Sequence, residues 1–268
     1  MFIADYHTHS NYSSDSDTPM EENIKAAVEL GLREIAATDH IDFDYPDPDF
    51  PFLFDYEPYS KEIDALREKY SGKIKIVKGV EIGIQPHVTG QITELVNKNQ
   101  YDFIIGSTHV VCDGYDLCMN DFFEGKTKRE AYWKYFEEVL HNVETYDFFN
   151  VYGHIDFINR YGNYSDKTMN YDEFKPLTDK ILKVLAEKNK GIEINTSGFR
   201  YGLGHTHPQF PIVKRFKELG GRIITVGSDA HRPEQIAFRF DTAYEMLREA
   251  GFDQIALFRN KKPEFIKI

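Results

Sequence analysis

Short continuous apolar runs alternate along this chain with longer stretches in which apolar positions recur every three or four residues. The runs are Phe2-Ile3-Ala4, then EIAATDH (34–40), IKIVKGVEIG (74–83), YDFIIGSTH (101–109), FFNVYGHID (148–156), GIEINTSG (191–198) and GRIITVGSDAH (221–231). Between them lie helical patterns. Thr18-Pro19-Met20-Glu21 reads as a capping box with proline at the first helical position, ahead of a stripe of Ile24, Ala27 and Val28 that stops at Gly31. Tyr59, Ile63, Leu66 and Tyr70 form the next stripe, and Ile92, Leu95 and Val96 a shorter one. The strongest pattern, over 128–145, presents Ala131, Tyr135, Phe136, Val139, Leu140 and Val143. Leu177, Ile181, Val184 and Leu185 follow, then Ile212, Val213, Phe216 and Leu219, and a last helix near 239–250 ending at Gly251.

Seven strand candidates alternating with helices indicate parallel βαβ units. The strand runs are apolar on both faces, as expected when helices cover one side and a filled interior the other. With no linker, low-complexity segment or repeat, residues 1–268 read as a single α/β domain, a closed or nearly closed barrel. The stretch 41–58, rich in proline and aromatic residues, reads as a loop.

Hydrophobic residues make up 41% of the 268, enough for a core, and the formal net charge is −12 with no block of lysines or arginines. A nucleic-acid-binding surface is therefore not expected, and an anionic substrate requires concentrated local positive charge. No basic, apolar leader and no membrane-length segment is visible, so a cytoplasmic protein without a membrane partner is expected. Cys112 and Cys118, spaced C-x5-C, suit neither a redox pair nor a zinc knuckle and read as reduced thiols.

The polar residues that end these runs change the picture most. They are His7 and His9, Asp39-His40, Glu81, His109, His154, Glu193 or Asn195, and Asp229 with His231. In a barrel of parallel strands the C-terminal ends share one rim, where active sites are built. Within H-x-H the imidazoles stand on one face of an extended strand, and the same holds for Asp229-Ala230-His231. Six of the ten histidines thus join Asp15, Glu81 and Asp229 in one candidate metal-ligand set. Imidazole and carboxylate without thiolate suit zinc, manganese or iron and suit calcium or magnesium poorly. Nine ligands exceed the need of one ion, so two or three are expected, with Glu81 able to bridge two through its oxygens. His205 and His207 (GHTHP) follow no strand run and read as a substrate loop more than as ligands. His87 and His141 read as ordinary surface or helix histidines.

H-x-H near the N-terminus followed in order by TDH, GVEIG, STH, GHID and SDAH resembles the PHP (polymerase and histidinol phosphatase) superfamily, over essentially the whole chain. Within it the chain looks most like the stand-alone histidinol-phosphatases. The resemblance implies a distorted (β/α)7 barrel of the PHP type with three divalent metal ions (Zn, Mn or Fe) at its rim. Carried over by motif, one ion takes His7, His9, Glu81 and Asp229, a second Glu81, His109 and His154, and a third Asp15, His40 and His231. Position 15 is histidine in some relatives and aspartate here. The implied activity is hydrolysis of L-histidinol phosphate, a small-molecule phosphomonoester, by a hydroxide bridging two ions, with no protein nucleophile.

Arg160 and Arg200 are expected to complete the phosphate cradle, since arginine forks match phosphate oxygens, and Arg232 is a weaker candidate. Leaving-group protonation falls to a metal-bound water, Asp229 or His231. The loop carrying Asp42, Phe43, Asp44, Tyr45, Asp47 and Asp49 is a candidate lid for the cationic end of histidinol phosphate. Competing readings are a phosphoesterase acting on a nucleotide, sugar phosphate or phosphotyrosine, a polymerase-associated exonuclease, a non-catalytic metal-binding module, and a C–N hydrolase. The missing basic track for DNA, the full ligand set and the lack of a carbamylated-lysine position at a strand end speak against the last three. Oligomeric state and native metal are not legible.

Overall fold

The computed structural model describes residues 3–111 and 114–268, so Phe2 of the first apolar run and Cys112 lie outside the described residues. Each βα unit begins with a short buried strand. These are β1 (Ala4–Asp5), β2 (Glu34–Ala37), β3 (His40–Ile41), β4 (Lys75–Gly83) and β5 (Phe103–Ser107). After the small antiparallel pair β6 (Val110–Val111) and β7 (Tyr115–Asp116) come β8 (Val151–Tyr152), β9 (Gly191–Asn195) and β10 (Ile224–Gly227). Seven of them form one parallel sheet in the order β1-β2-β4-β5-β8-β9-β10, and β3 pairs with Glu81–Ile82 of β4.

The sheet curls until its first and last strands meet. Tyr6 N donates to Val226 O at 2.9 Å, Asp229 N to His7 O at 2.8 Å and His9 N to Ala230 O at 2.7 Å. The first bond reaches into β10 and the other two lie beyond the regular ends of β1 and β10, so the barrel is sealed largely by the segments that carry His7, His9 and Asp229. The strands are short because each run leaves extended geometry at the rim, where its polar residues turn toward the interior.

Helices α1 (Met20–Glu29), α2 (Tyr56–Lys69), α3 (Thr89–Lys98), α4 (Lys128–Thr145) and α5 (Tyr171–Glu187) surround the barrel with α6 (Ser197–Arg200), α7 (Phe210–Glu218) and α8 (Phe240–Glu249). Their apolar stripes bury the expected side chains: Ile24 and Ala27, Tyr59 and Ile63, Tyr135, Phe136 and Val139, Ile181 and Leu185, and Ile212, Val213 and Phe216. One cap differs from expectation. Thr18 makes no capping bond to α1, because its hydroxyl donates to His231 O at 2.9 Å beside that of Ser16. The capping box is instead on α4, between Thr127 and Glu130. The hairpin β11 (Gln254–Arg259) and β12 (Lys262–Lys267) carries no periodic signal that a parallel-barrel reading anticipates.

The hairpin helps close the end opposite the rim. Glu34, the first residue of β2, is fully buried and accepts from the Tyr6 hydroxyl and from both terminal nitrogens of Arg259. The Tyr6 ring packs on Phe103 and Phe258, with centroids 5.0 and 6.4 Å away. No buried polar atom of Tyr6, Glu34 or Arg259 is left without a partner, so the ion pair is closed on itself.

Candidate metal centre and phosphate pocket

Glu81 projects from β4 to the centre of the rim and is fully buried. Its Oε2 lies 3.0 Å from His7 Nε2, 3.5 Å from His9 Nε2 and 3.1 Å from His40 Nδ1. Its Oε1 lies 2.9 Å from His154 Nε2 and 3.3 Å from His109 Nε2, and accepts the Ser107 hydroxyl at 2.6 Å. Asp229 Oδ1 faces His9 Nε2 at 3.4 Å and His7 Nε2 at 3.9 Å. Asp15 Oδ2 sits 2.9 Å from His231 Nε2 and 3.8 Å from His40 Nε2. All nine expected ligands are therefore linked in one cluster, with five of the six histidines within 3.5 Å of Glu81.

Glycines let the carboxylates reach these places. A Cβ on Gly83 would collide with the carboxyl group of Asp42, and one on Gly227 with both Glu193 and His7. The glycines of GVEIG and TVGSDAH are thus spaces through which acidic side chains pass. Asp229 itself has φ +55°, a left-handed conformation that aspartate tolerates better than most residues.

The charges are strongly coupled. Burial alone would raise the Glu81 carboxyl, but the His7, His40 and His109 imidazoles outweigh it and hold it well below the usual carboxylate range. Asp229 is held down in the same way by His7, His9 and Arg160. Burial, with His40 and His231 alongside, keeps His9 neutral, whereas Glu193, Glu81 and Asp229 overcome burial and raise His7. Asp42 and Glu81 likewise raise His109.

This donor set fits divalent metal ions. His9 Nε2, His40 Nδ1 and Asp42 Oδ2 are buried without hydrogen-bond partners, although an orphaned buried polar atom is costly. Metal–ligand bonds of about 2.0–2.2 Å place neighbouring ligand atoms roughly 3–3.5 Å apart. The distances around Glu81 straddle that range. Groups His7/His9/Asp229, Glu81/His109/His154 and His9/His40/His231 each bring one ligand atom per residue within 4.8 Å of the others.

A layer of partners orients the imidazoles. Glu193 Oε1 lies 2.5 Å from His7 Nδ1, and its Oε2 accepts from His154 N at 3.0 Å. Of the pair left open in the sequence, Glu193 holds His7, whereas Asn195 supports Glu193 and Asp229 through Nδ2 at 3.2 and 3.4 Å. Asp42 Oδ1 lies 2.7 Å from His109 Nδ1. Asp39 accepts from Ser10 and Ser13, and Ser13 Oγ is 3.1 Å from His9 Nδ1. Such carboxylates fix the tautomer and direction of a ligating histidine.

A cavity of about 160 Å³ opens onto the cluster, lined on its apolar side by Tyr45, Phe52, Phe157, Tyr161 and Tyr201. Among the described residues, Arg160 is the only lysine or arginine lining it. Its guanidinium is buried, donates from Nη2 to Asp229 Oδ2 at 2.9 Å and to Ser197 Oγ, and stacks 4.2 Å from the Tyr201 ring centroid. Arg200 is not brought to this cavity. It donates from Nη1 to Ser228 O and from Nη2 to Asp229 O, both at 2.6 Å, and so clamps the turn that carries Asp229. Arg232 does not line the cavity either.

Within the expected lid, Tyr45 and Phe52 line the cavity but the outer acids do not. Asp42 is buried against His109, Asp44 pairs with exposed His87 at 2.8 Å, and Asp47 caps its own turn at Asp49 N. The carboxylate beside Tyr45 is Asp116, which accepts the Tyr45 hydroxyl at 2.8 Å and which the sequence did not single out. His207, read as a substrate-loop residue, is fully buried between Asp156 and Arg160. His141 packs near Tyr146 on the outside of the barrel. Cys118 is an exposed free cysteine at the cavity mouth whose sulfur turns in to donate to the Tyr161 hydroxyl at 3.2 Å, and this burial of the sulfur pushes the thiol up to about 11. A larger groove of about 590 Å³ between the start of α2 and the length of α3 is lined by none of the histidines.

Residues 5–197 match the PHP domain. The chain belongs to the PHP domain family. The PHP span stops before Asp229 and His231, whose place in the cluster rests on barrel closure. The chain is 34% identical over 260 residues to the histidinol-phosphatase of Lactococcus lactis subsp. lactis, covering 96% of this chain and 95% of that protein. It is 33% identical over 253 residues to a probable histidinol-phosphatase of Clostridium acetobutylicum, covering 94% and 96%. The crystal structure of the Lactococcus histidinol phosphate phosphatase, complexed with zinc, L-histidinol and phosphate, superposes with a TM-score of 0.91 at 32% identity, over 97% of this chain and 98% of that one. The PHP barrel expected from the order of the motifs is therefore present, with parallel strands nearly closed on themselves. No helix among the described residues is long and apolar enough to cross a membrane.

Proposed function

We propose that this chain is a metal-dependent phosphomonoesterase that hydrolyses L-histidinol phosphate to L-histidinol and phosphate. The observation that carries the reading is the meeting, in one cavity, of the carboxylate–imidazole cluster with the buried guanidinium of Arg160 and an aromatic wall. Likeness to a phosphatase solved with zinc, L-histidinol and phosphate supports the same substrate. The partner is then a small phosphomonoester, with neither nucleic acid nor membrane required, and residues 1–268 act as one domain in the cytoplasm.

Three divalent ions, of zinc, manganese or iron, are assigned to His7, His9, Glu81 and Asp229, to Glu81, His109 and His154, and to Asp15, His40 and His231. Bound there, they would lower the pKa of water and neutralise phosphoryl charge, so that no protein nucleophile is needed. The chain's own part is placement. Arg160 Nη1 carries no hydrogen bond to another described residue and is available to a phosphoryl oxygen. Tyr45, Phe52, Phe157, Tyr161 and Tyr201 enclose the leaving group and offer ring faces to its cationic groups. Both Asp229 oxygens are engaged, Oδ1 by histidines and Oδ2 by Arg160, Asn195 and Ser197, which keeps it ionised and unsuited to donate a proton. His231 would hold the third ion through Nε2 and faces the Asp229 carbonyl oxygen with Nδ1 at 3.0 Å, so neither side chain is free to protonate the leaving oxygen, and a water held at the ions would supply that proton.

The test is elemental analysis of the purified protein with phosphate release from L-histidinol phosphate and a panel of phosphomonoesters. About three ions per chain and histidinol phosphate well ahead of the panel is the expected outcome. Preference for a nucleotide, sugar phosphate or phosphotyrosine would retain the metal chemistry and overturn the substrate.

A further inference from the structure

A buried chain of hydrogen bonds runs from Asp156 through His207 to the phosphate-facing arginine. Asp156 is fully buried, and its Oδ1 lies 2.6 Å from His207 Nδ1. Its Oδ2 accepts from Asn159 Nδ2 at 3.0 Å and Gln209 N at 3.1 Å, so both carboxylate oxygens are occupied. At the far side of the imidazole, Arg160 Nε points at His207 Nε2 across 3.2 Å. Arginine can only donate, so Nε2 must accept, and Nδ1 must then carry the proton toward Asp156. Burial also holds His207 down to about 4, which keeps it neutral.

From this geometry we infer that His207 is a positioning residue: as the Nδ1–H tautomer fixed by Asp156, it accepts from Arg160 Nε and sets the guanidinium plane so that Nη1 faces the phosphoryl group. The inference rests on the proposed phosphomonoesterase reading and adds to it a residue 47 positions from the arginine it orients. Without an acceptor at Nε2, the hydrogen bonds left to the Arg160 guanidinium would be those of Nη2 to Asp229 and Ser197, and it could turn within its own plane between the Phe157 and Tyr201 rings. An alternative role for His207 is to brace the loop 201–209 against Asp156, which Gln209 N also does.

The two roles respond oppositely to two substitutions. In His207→Gln the amide oxygen can occupy the place of Nε2 and accept from Arg160, whereas in His207→Asn the amide nitrogen can occupy the place of Nδ1 and serve only Asp156. The probe is inorganic phosphate binding to metal-saturated protein by calorimetry, with metal content measured for each variant. His207→Asn is expected to weaken phosphate about tenfold and His207→Gln less than threefold, at unchanged metal content. In an Arg160→Met background, the His207→Asn substitution should add no further loss, because its effect passes through the arginine. Asn binding better than Gln, or the full His207 effect persisting without Arg160, would overturn the inference. Should His207→Asn fail to fold, phosphate binding by His207→Gln at the native level still supports it, and a tenfold loss there overturns it. Phosphate binding does not depend on which ester is hydrolysed, so a wrong substrate would leave this result intact.

Discussion

The two ends of the barrel are both buried, polar and ionic, yet they are built on opposite rules. At the floor, Glu34, Tyr6 and Arg259 satisfy one another, and the cluster needs nothing from outside. At the rim, six histidines and three carboxylates crowd together with His9 Nε2, His40 Nδ1 and Asp42 Oδ2 left without partners. A closed ion pair fixes the fold, because removing one partner strands the other. An open cluster stores unsatisfied donors whose natural completion is a cation, so it contributes function at the expense of metal-free stability.

The largest effect that separates the ends should come from Glu81→Gln. It is expected to lower kcat/KM on histidinol phosphate by roughly a thousandfold or more, because the carboxylate assigned to two of the ions loses its charge. The metal-free variant should melt no lower than the parent in calorimetry. A large fall in its melting temperature would mean that the rim is structural after all. Gly83→Ala should act at one remove, pushing Asp42 away from His109. Metal affinity, read by chelator competition, is then expected to drop about 10–100-fold, and a normal affinity would show that Asp42 does not orient His109.

Glu34→Gln is the mirror experiment at the floor. Denaturant unfolding should show a loss of about 3 kcal/mol, while kcat/KM of the folded fraction stays within about twofold. Lost activity without lost stability would break the comparison. A smaller effect is expected from pH. In the ion-free protein His7 and His109 are raised well above their ordinary value, so they hold protons at neutral pH that an arriving ion must displace. Metal affinity should therefore rise with pH and fall as pH drops, by about tenfold per unit for each proton displaced. Calorimetric titration in buffers of different ionisation heat counts those protons, and a count of zero would contradict the sign. The smallest change should follow Tyr45→Phe, which removes the hydroxyl given to Asp116 and should raise KM by about threefold with little change in kcat.

The sequence carried much of this arrangement because ligand types and their order are written at the ends of apolar runs. Parallel strands bring those ends to one rim whatever the loop lengths between them. The meeting of His7 and His9, His40, Glu81, His109, His154, Asp229 and His231 at the rim was legible for that reason, and Asp15, in the polar stretch after H-x-H, joined the same candidate set. The helix stripes were equally plain, although Thr18 was misread as a cap because serine and threonine hydroxyls at a helix start look alike whether they serve the helix or a distant carbonyl. Arg200 looked like a phosphate ligand by its place after β9, but a guanidinium's direction is set by which acceptors reach it, here the carbonyls of Ser228 and Asp229. Asp42 passed for a lid acid since its spacing from Gly83 in the fold is invisible along the chain.

What the sequence alone determined is the chemistry available: imidazole and carboxylate without thiolate, on strands that must be parallel and covered on both faces. What only the tertiary structure decided is who serves whom. Glu193 reaches His7 across 186 positions, Asp42 reaches His109 across 67, and Asp156 fixes His207 across 51. Pairings of that length come from barrel closure, which sets neighbours by strand order and register. Local propensity and spacing, acting over a few residues, carry no information about them.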